Sequence, residues 1–325
     1  MEAKIYHGDC LEIMRTFPDK HFDLVFCSPP YEAARTYGID FKLRGQAWVD
    51  WCLPRYFECL RVCRGLVAWV IEGQTRNFRY SATPALLMAD LHRAGVNLRK
   101  PPIFKRVGIP GSGGPDWLRN DYETIVCATQ AGKLPWSDNT AMGHTPKWAP
   151  GGKMSNRHAD GQRINAQSSK RDKFGFTPGV EPSQSQRANG ARRSYIREKA
   201  NEPKAVAFLN GELQGSKLHT KSNGKEMRVQ CYTPPVKANP GNVIQCVVGG
   251  GSMGSKLCHE NEAPFPESLA EFFIRSFCPP GRTVLDPFCG SGTTIAVAKR
   301  LDREAVGIDI RESQVELSSR RVCQD

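Results

Sequence analysis

Apolar residues come in short, dense runs over residues 1–133 and 259–325 and scarcely at all between them. FDLVFC (22–27), GLVAWVIEG (65–73) and YETIVCATQAGK (122–133) each contain a β-branched or aromatic core bounded by Gly, Pro or charge, which predicts buried strands. Between the first two, WVDWCLPRYFECLRVC (48–63) sets Trp48, Trp51, Cys52, Tyr56, Phe57 and Leu60 at helical spacing. It reads as a helix interrupted near its start by Pro54. The pattern resumes with PESLAEFFIRSFC (266–278), a helix with Leu269, Phe272, Phe273 and Ser276 near one face. TVLDPF is then a strand, GSGTTIAVAKRL a glycine-opened helix, EAVGIDI a strand ending in Asp309, and ESQVELSSRRV a closing helix. Buried strands separated by helices predict an α/β domain with a largely parallel sheet.

The middle of the chain is different in kind. From 134 to 258 Gly, Ser, Asn, Gln and Pro dominate, and VIQCVV (243–248) is the main apolar run. Residues 134–230 hold 17 Lys or Arg against 8 Asp or Glu, so +9 of the total +12 lies there. A solvated linker has this composition, but Trp148, Phe174, Phe176, Tyr195, Phe208 and Tyr232 are spread through it. Basic groups for phosphates with aromatics or amides for bases suit a region that contacts nucleic acid. Arg157, Arg163, Lys170, Arg171, Arg192 and Arg193, in the densest basic stretches, are the candidate DNA contacts. No apolar run approaches the ~18 residues of a membrane span. The start MEAKIYHGDC lacks the character of a secretory signal, so a cytoplasmic location is expected. The 12 cysteines include no CxxC or zinc-finger spacing, so they read as reduced, buried thiols and no metal is expected.

Two motifs carry chemistry. In VLDPFCGSGTT (284–294) a strand ends at Asp286, turns through Gly290 and Gly292, and enters a helix whose leading N–H groups can meet a ligand. Asp309 ends the next strand, where an acid can accept hydrogen bonds from ribose hydroxyls. The sixth position of the glycine pattern is Ile295 and no P-loop Lys is present, so a nucleoside without pyrophosphate fits better than NAD or ATP. The second motif, Ser28-Pro29-Pro30-Tyr31, directly follows FDLVFC. Two prolines fix the backbone and remove two donors, leaving carbonyls and the Ser28 hydroxyl as acceptors. A tight Pro-Pro turn would need the same residues.

Together these motifs resemble those of the S-adenosylmethionine-dependent DNA amino-methyltransferases, in which a [DNS]-PP-[YFW] tetrapeptide is catalytic and D-P-F-x-G-S-G-T-T is the cofactor loop. The order of catalytic motif, basic variable region and cofactor loop is similar to the β class. The resemblance implies a doubly wound, mostly parallel, seven-stranded Rossmann-like α/β sheet, with 1–133 and 259–325 as the catalytic domain and 134–258 as the target-recognition region. It implies S-adenosylmethionine as cofactor, double-stranded DNA as partner, and a homodimer, for which Trp48 to Cys63 offers an apolar face. The segment Gly8-Asp9-Cys10 matches the family's G-D segment, whose acid contacts adenine, and His259 to Pro266 resembles the segment that holds the methionine end. On this resemblance Asp9, Cys10, Ser28, Phe265, Pro266, Asp286, Phe288, Gly290, Ser291, Gly292, Thr293, Asp309 and Ile310 surround the cofactor. Ser28, Pro29, Pro30 and Tyr31 are then catalytic.

An exocyclic amine delocalises its lone pair into the ring and is a poor nucleophile. The resemblance implies that Ser28 Oγ and the Pro29 carbonyl accept its two hydrogens and aim the lone pair at the methyl group, by positioning and differential binding. The base must leave the duplex to be reached, and Tyr31 would stack on it. Adenine N6 is the expected target, with cytosine N4 the alternative toward which Ser in the first motif position leans. An RNA or protein methyltransferase and a non-catalytic DNA-binding protein are the readings from other classes.

Overall fold

The computed structural model describes residues 1–32, 41–108, 113–130, 132–144, 237–261 and 264–324, with the backbone of 219–220 and 226–227. The six candidate DNA-contacting residues, Arg157 to Arg193, lie outside the described residues. In chain order the elements are β1 (Ala3–His7), α1 (Cys10–Arg15), β2 (Phe22–Cys27), α2 (Gly45–Val62), β3 (Cys63–Ile71), β4 (Thr75–Arg76) and β5 (Arg79–Tyr80). There follow α3 (Thr83–Arg93), β6 (Asn97–Arg99), β7 (Ile103–Val107), β8 (Tyr122–Thr129), β9 (His219–Thr220), β10 (Glu226–Met227) and β11 (Val243–Val247). The chain closes with α4 (Glu267–Phe277), β12 (Thr283–Asp286), α5 (Thr293–Arg300), β13 (Glu304–Asp309) and α6 (Glu312–Gln324).

Two compact units divide the chain. One comprises Met1–Met142 with Asn239–Asp325, the other Gly143–Ala238. In the second, β9 and β10 pair antiparallel, and His144 bridges Ala238. The first is built on a sheet of nine strands in the order β1-β13-β12-β2-β3-β8-β7-β11, with β6 also on β8. The expected seven are therefore exceeded. Residues 134–142 and 239–258, expected in the recognition region, belong to the sheet-bearing unit, because β11 pairs parallel with β7 from Val243↔Ile103 to Val247↔Val107. Burial of Ile244 and Cys246 on alternating positions fixes that register.

Most pairings are parallel, as expected for strands joined by helices, but β8 runs antiparallel to both β3 and β7. All six residues of β2 are buried, since both faces of the sheet are covered. Leu24 and Phe26 pack on one face with Phe273, Ile295 and Val284, while Val25 and Cys27 pack on the other with Trp48, Cys52 and Tyr56. Pro54 does not interrupt α2. It lies well inside a continuous helix, whose lost hydrogen bond is offset by the burial of Trp48, Val49, Cys52, Tyr56 and Cys59. Along the stretch Trp48 to Cys63 the molecule's own sheet takes Trp48, Val49, Cys52, Tyr56, Cys59 and Val62, while Phe57 stays exposed. Ten of the eleven described cysteines are buried, and Cys323 is exposed. No helix among the described residues is long and apolar enough to cross a membrane.

Candidate active site

Strands β1, β2, β12 and β13 all end at one edge of the sheet, and their following loops enclose a cavity of about 730 Å³. Crevices outside the carboxyl ends of parallel strands are the usual ligand sites of such sheets. Both motifs line this cavity, the tetrapeptide through Ser28, Pro29, Pro30 and Tyr31 and the glycine loop through Phe288, Gly290, Ser291 and Thr293. Asp9, Cys10, Phe265, Pro266, Asp309 and Ile310 line it too. Asp286 and Gly292 do not.

The tetrapeptide is held from below. Buried Trp48 donates its Nε1–H to the Pro30 carbonyl at 2.9 Å, and the Tyr31 hydroxyl donates to Glu123 Oε2 at 2.7 Å. Glu32, 2% exposed, accepts from Gly45 N at 2.8 Å and Gln74 N at 2.9 Å, locking the residue that follows the motif. Cys10 and Cys27 are inert packing groups: burial pushes the Cys10 thiol up to about 12, and Cys27 is also raised.

At the opposite wall the two acids are fixed by their own loops. Asp9 Oδ1 accepts from Leu11 N at 2.7 Å, capping α1, and Oδ2 pairs with Arg55 at 2.7 Å. Arg55 in turn lies over the Trp51 ring, 4.0 Å from its centroid. Asp309 Oδ2 accepts from Gly290 N at 2.9 Å and Oδ1 from Arg311 N at 2.9 Å. Each carboxylate has about four lone-pair sites, so both keep capacity for a ligand's hydroxyl or amine.

Gly292 serves the loop rather than a ligand. Its φ is +75°, it caps α5, and a Cβ there would lie 2.3 Å from Ser318 Oγ of α6. The first turn of α5 thus has no side-chain cap and presents its N–H groups at the cavity. Arg321 of α6, fully buried, reaches Ser291 O at 3.3 Å and Thr293 Oγ1 at 3.0 Å, and pairs with Glu267 of α4.

Asp286 is 1% exposed and accepts from Phe288 N at 3.1 Å, so it shapes the turn from inside. Burial pushes its carboxyl up to about 7, against an ordinary 3.8. The folded state therefore holds a proton that the unfolded chain gives up, and stability is lost as pH rises from about 4 through about 7. Asp286→Asn is expected to stabilise the fold, with a gain larger at pH 8 than at pH 5. Urea unfolding at the two pH values checks this, and a pH-independent difference would contradict it.

Several lining residues escaped the sequence reading: Trp51, Arg55, Glu72, Arg106 and Glu123; Asn261, also lining, falls within the expected segment His259 to Pro266. Glu72, Arg106 and Glu123 cluster beyond Tyr31. Burial raises both carboxyls above the ordinary range, and Arg106 lies 3.3 Å from Glu123. Glu72 Oε2 and Arg106 Nε are buried without a hydrogen-bond partner among the described residues. Among the described residues no group of three or more His, Cys, Asp or Glu could hold a metal.

S-adenosylmethionine fits the remainder of the cavity. It carries a ribose diol and an adenine amine for the acids, a carboxylate for the α5 N-terminus, and an adenine ring for the apolar wall around Phe288, which packs edge-on to Trp69 with ring centroids 5.5 Å apart.

The sequence model of the DNA methylase family, the N6/N4 amino-methyltransferases, matches residues 22–320. Type II methyltransferase M.ScaI of Streptomyces caespitosus is 24% identical over 99% of this chain and 81% of its own length. M.SmaI of Serratia marcescens is 45% identical over 18% of this chain and 20% of its own length. The DNA adenine methyltransferase YhdJ of Escherichia coli is 22% identical over 99% of this chain and 83% of its own. Among solved structures, the cytosine-N4-specific PvuII DNA methyltransferase superposes with a TM-score of 0.60 at 17% identity, covering 99% of this chain and 86% of that one. A Thermus thermophilus protein described as a DNA modification methylase, complexed with S-adenosyl-L-methionine, gives 0.52 at 20% identity over 99% and 93%. With the family's motifs on one cavity and its sequence model spanning almost the whole chain, this protein belongs to the S-adenosylmethionine-dependent N6/N4 DNA methylases.

Proposed function

We propose that the chain methylates N4 of a cytosine flipped out of double-stranded DNA, in preference to the adenine N6 expected from its sequence. The observation that carries the amino-methyltransferase reading is the convergence of the Ser28-Pro29 acceptors and the glycine loop on one cavity. Bound there, the cofactor supplies an electrophilic methyl group. Asp9 and Asp309 hold its nucleoside part, and the N–H groups at the start of α5 its carboxylate. Ser28 Oγ and the Pro29 carbonyl accept the two N–H hydrogens of the amine, drawing it out of conjugation and directing its lone pair at the methyl carbon; as the N–C bond forms the S–C bond breaks, the thioether leaves neutral, and the nitrogen gives up one of its two protons to solvent. Tyr31, its hydroxyl tethered to Glu123, stacks on the base.

The choice of cytosine is supported by Ser28 and by the wall beyond Tyr31. Next to its amine cytosine presents two acceptors, N3 and O2, whereas adenine presents N1 and a C–H. Arg106 Nε–H, buried and without a hydrogen-bond partner among the described residues, is a donor on that wall. The basic excess between 134 and 230 supports target recognition by the unit Gly143–Ala238. Labelled methyl groups are expected to pass from the cofactor to unmethylated duplex phage λ DNA and not to RNA. Transfer to RNA alone would defeat the reading.

A further inference from the structure

The hairpin β4–β5 pairs Thr75 with Tyr80 and Arg76 with Arg79, leaving Asn77 and Phe78 as its two-residue turn. Both have positive φ, 47° and 63°. Such turns favour Asn first and Gly second, because a side chain at the second position is strained. Here that position holds phenylalanine, and it gains no packing in return: Phe78 is 77% exposed. Arg76 and Arg79 on either side are exposed, and neither pairs with an acid among the described residues.

The stalk, by contrast, is fixed to the cavity. Glu32, the residue after the tetrapeptide, accepts from Gln74 N and from Ser81 Oγ, one at each foot of the hairpin. The Tyr80 hydroxyl donates to Glu72 at 3.1 Å, and its ring covers Gly73 so closely that a Cβ there would lie 2.6 Å from it. An exposed aromatic between two arginines is thus held in a set position beside the catalytic motif.

We propose that this hairpin is a DNA wedge, in which Phe78 enters the base stack beside the extruded base while Arg76 and Arg79 take flanking phosphates. Apolar wedges that unstack bases, and arginines that bind phosphate without reading sequence, are the general means by which proteins deform duplexes. The inference rests on the reading of the cavity as the seat of a flipped base.

Phe78→Gly separates this role from a structural one, since it relieves the strained φ while removing the ring. The variant is expected to keep a Tm at or above that of the wild type and an unchanged cofactor affinity. Its kcat/KM on unmethylated phage λ DNA should fall roughly 5- to 150-fold, the range for losing one base–aromatic stack. Phe78→Trp should retain most activity. Undiminished methylation by Phe78→Gly, or a loss that tracks a lowered Tm, would overturn the wedge. A wild-type enzyme that failed to methylate λ DNA would instead strike at the proposed function itself.

Discussion

Replacing Arg321 by alanine is expected to destabilise the protein by about 3–5 kcal/mol, the range for breaking a buried ion pair from one side. Arg321 is fully buried and joins α4, the cofactor loop and α6 by donating to Glu267, Ser291 and Thr293. Without it the Ser291 and Thr293 oxygens lose their donor, and Glu267 keeps only Arg300 and Ser255 N. The pair also has a pH signature. Burial alone would raise the Glu267 carboxyl, but Arg321 and Arg300 outweigh it and hold the pKa below the ordinary 4.5. A depressed folded-state pKa contributes stability that is present above 4.5 and lost as pH falls through the lower folded value. Guanidinium unfolding at pH 7 should show the loss in Arg321→Ala, and the wild-type advantage should shrink on acidification below about pH 4.5. A variant within 1 kcal/mol of wild type at pH 7 would remove the buried pair from the account.

The second large effect is chemical. Ser28→Ala removes one of the two acceptors proposed to act on the amine as its lone pair leaves conjugation. The hydroxyl lies at the end of a fully buried strand, beside two prolines that admit little rearrangement. Loss of one preorganised group of this kind costs about 2.7–4 kcal/mol of transition-state stabilisation, or roughly 10²- to 10³-fold in kcat. Cofactor affinity should fall far less than kcat, because Ser28 is one lining residue among many and the acids and helix terminus proposed to hold the cofactor remain. Single-turnover methylation together with calorimetric cofactor titration checks both parts. An unchanged kcat would exclude Ser28 from the chemistry.

Both motifs were legible because each is a local event, a strand ending in a constrained turn, and local sequence carries that information. What was not legible depends on how distant strands are oriented. YETIVCAT was recognised as a strand, yet in the parallel sheet expected for it Glu123 would stand at the edge away from the site. Only because β8 runs antiparallel to β3, with Ile71 opposite Thr124, does its beginning reach the tetrapeptide and bring Glu123 to Tyr31. β11 was hidden by its surroundings, a short, mainly apolar run inside a polar stretch, and its partner β7 (IFKRV) is short and carries Lys105 and Arg106 in its middle. Asp286 was misplaced for a subtler reason. An acid at a strand end before a glycine loop can face a ligand or turn inward to brace the loop, and burial decides between these after folding. The αL phenylalanine of the hairpin is invisible to composition, since FR and RY pass for ordinary solvated residues until the turn's hand is known.

The most direct test of the account is the chemical identity of the product. Unmethylated phage λ DNA would be incubated with the purified protein and S-adenosylmethionine, digested to nucleosides, and resolved by mass spectrometry. N4-methyldeoxycytidine is predicted, formed roughly 10²- to 10³-fold more slowly when Ser28→Ala replaces the wild type. N6-methyldeoxyadenosine in its place would contradict the assignment of the wall beyond Tyr31 to cytosine, and a product methylated on neither amine would contradict the mechanism as a whole.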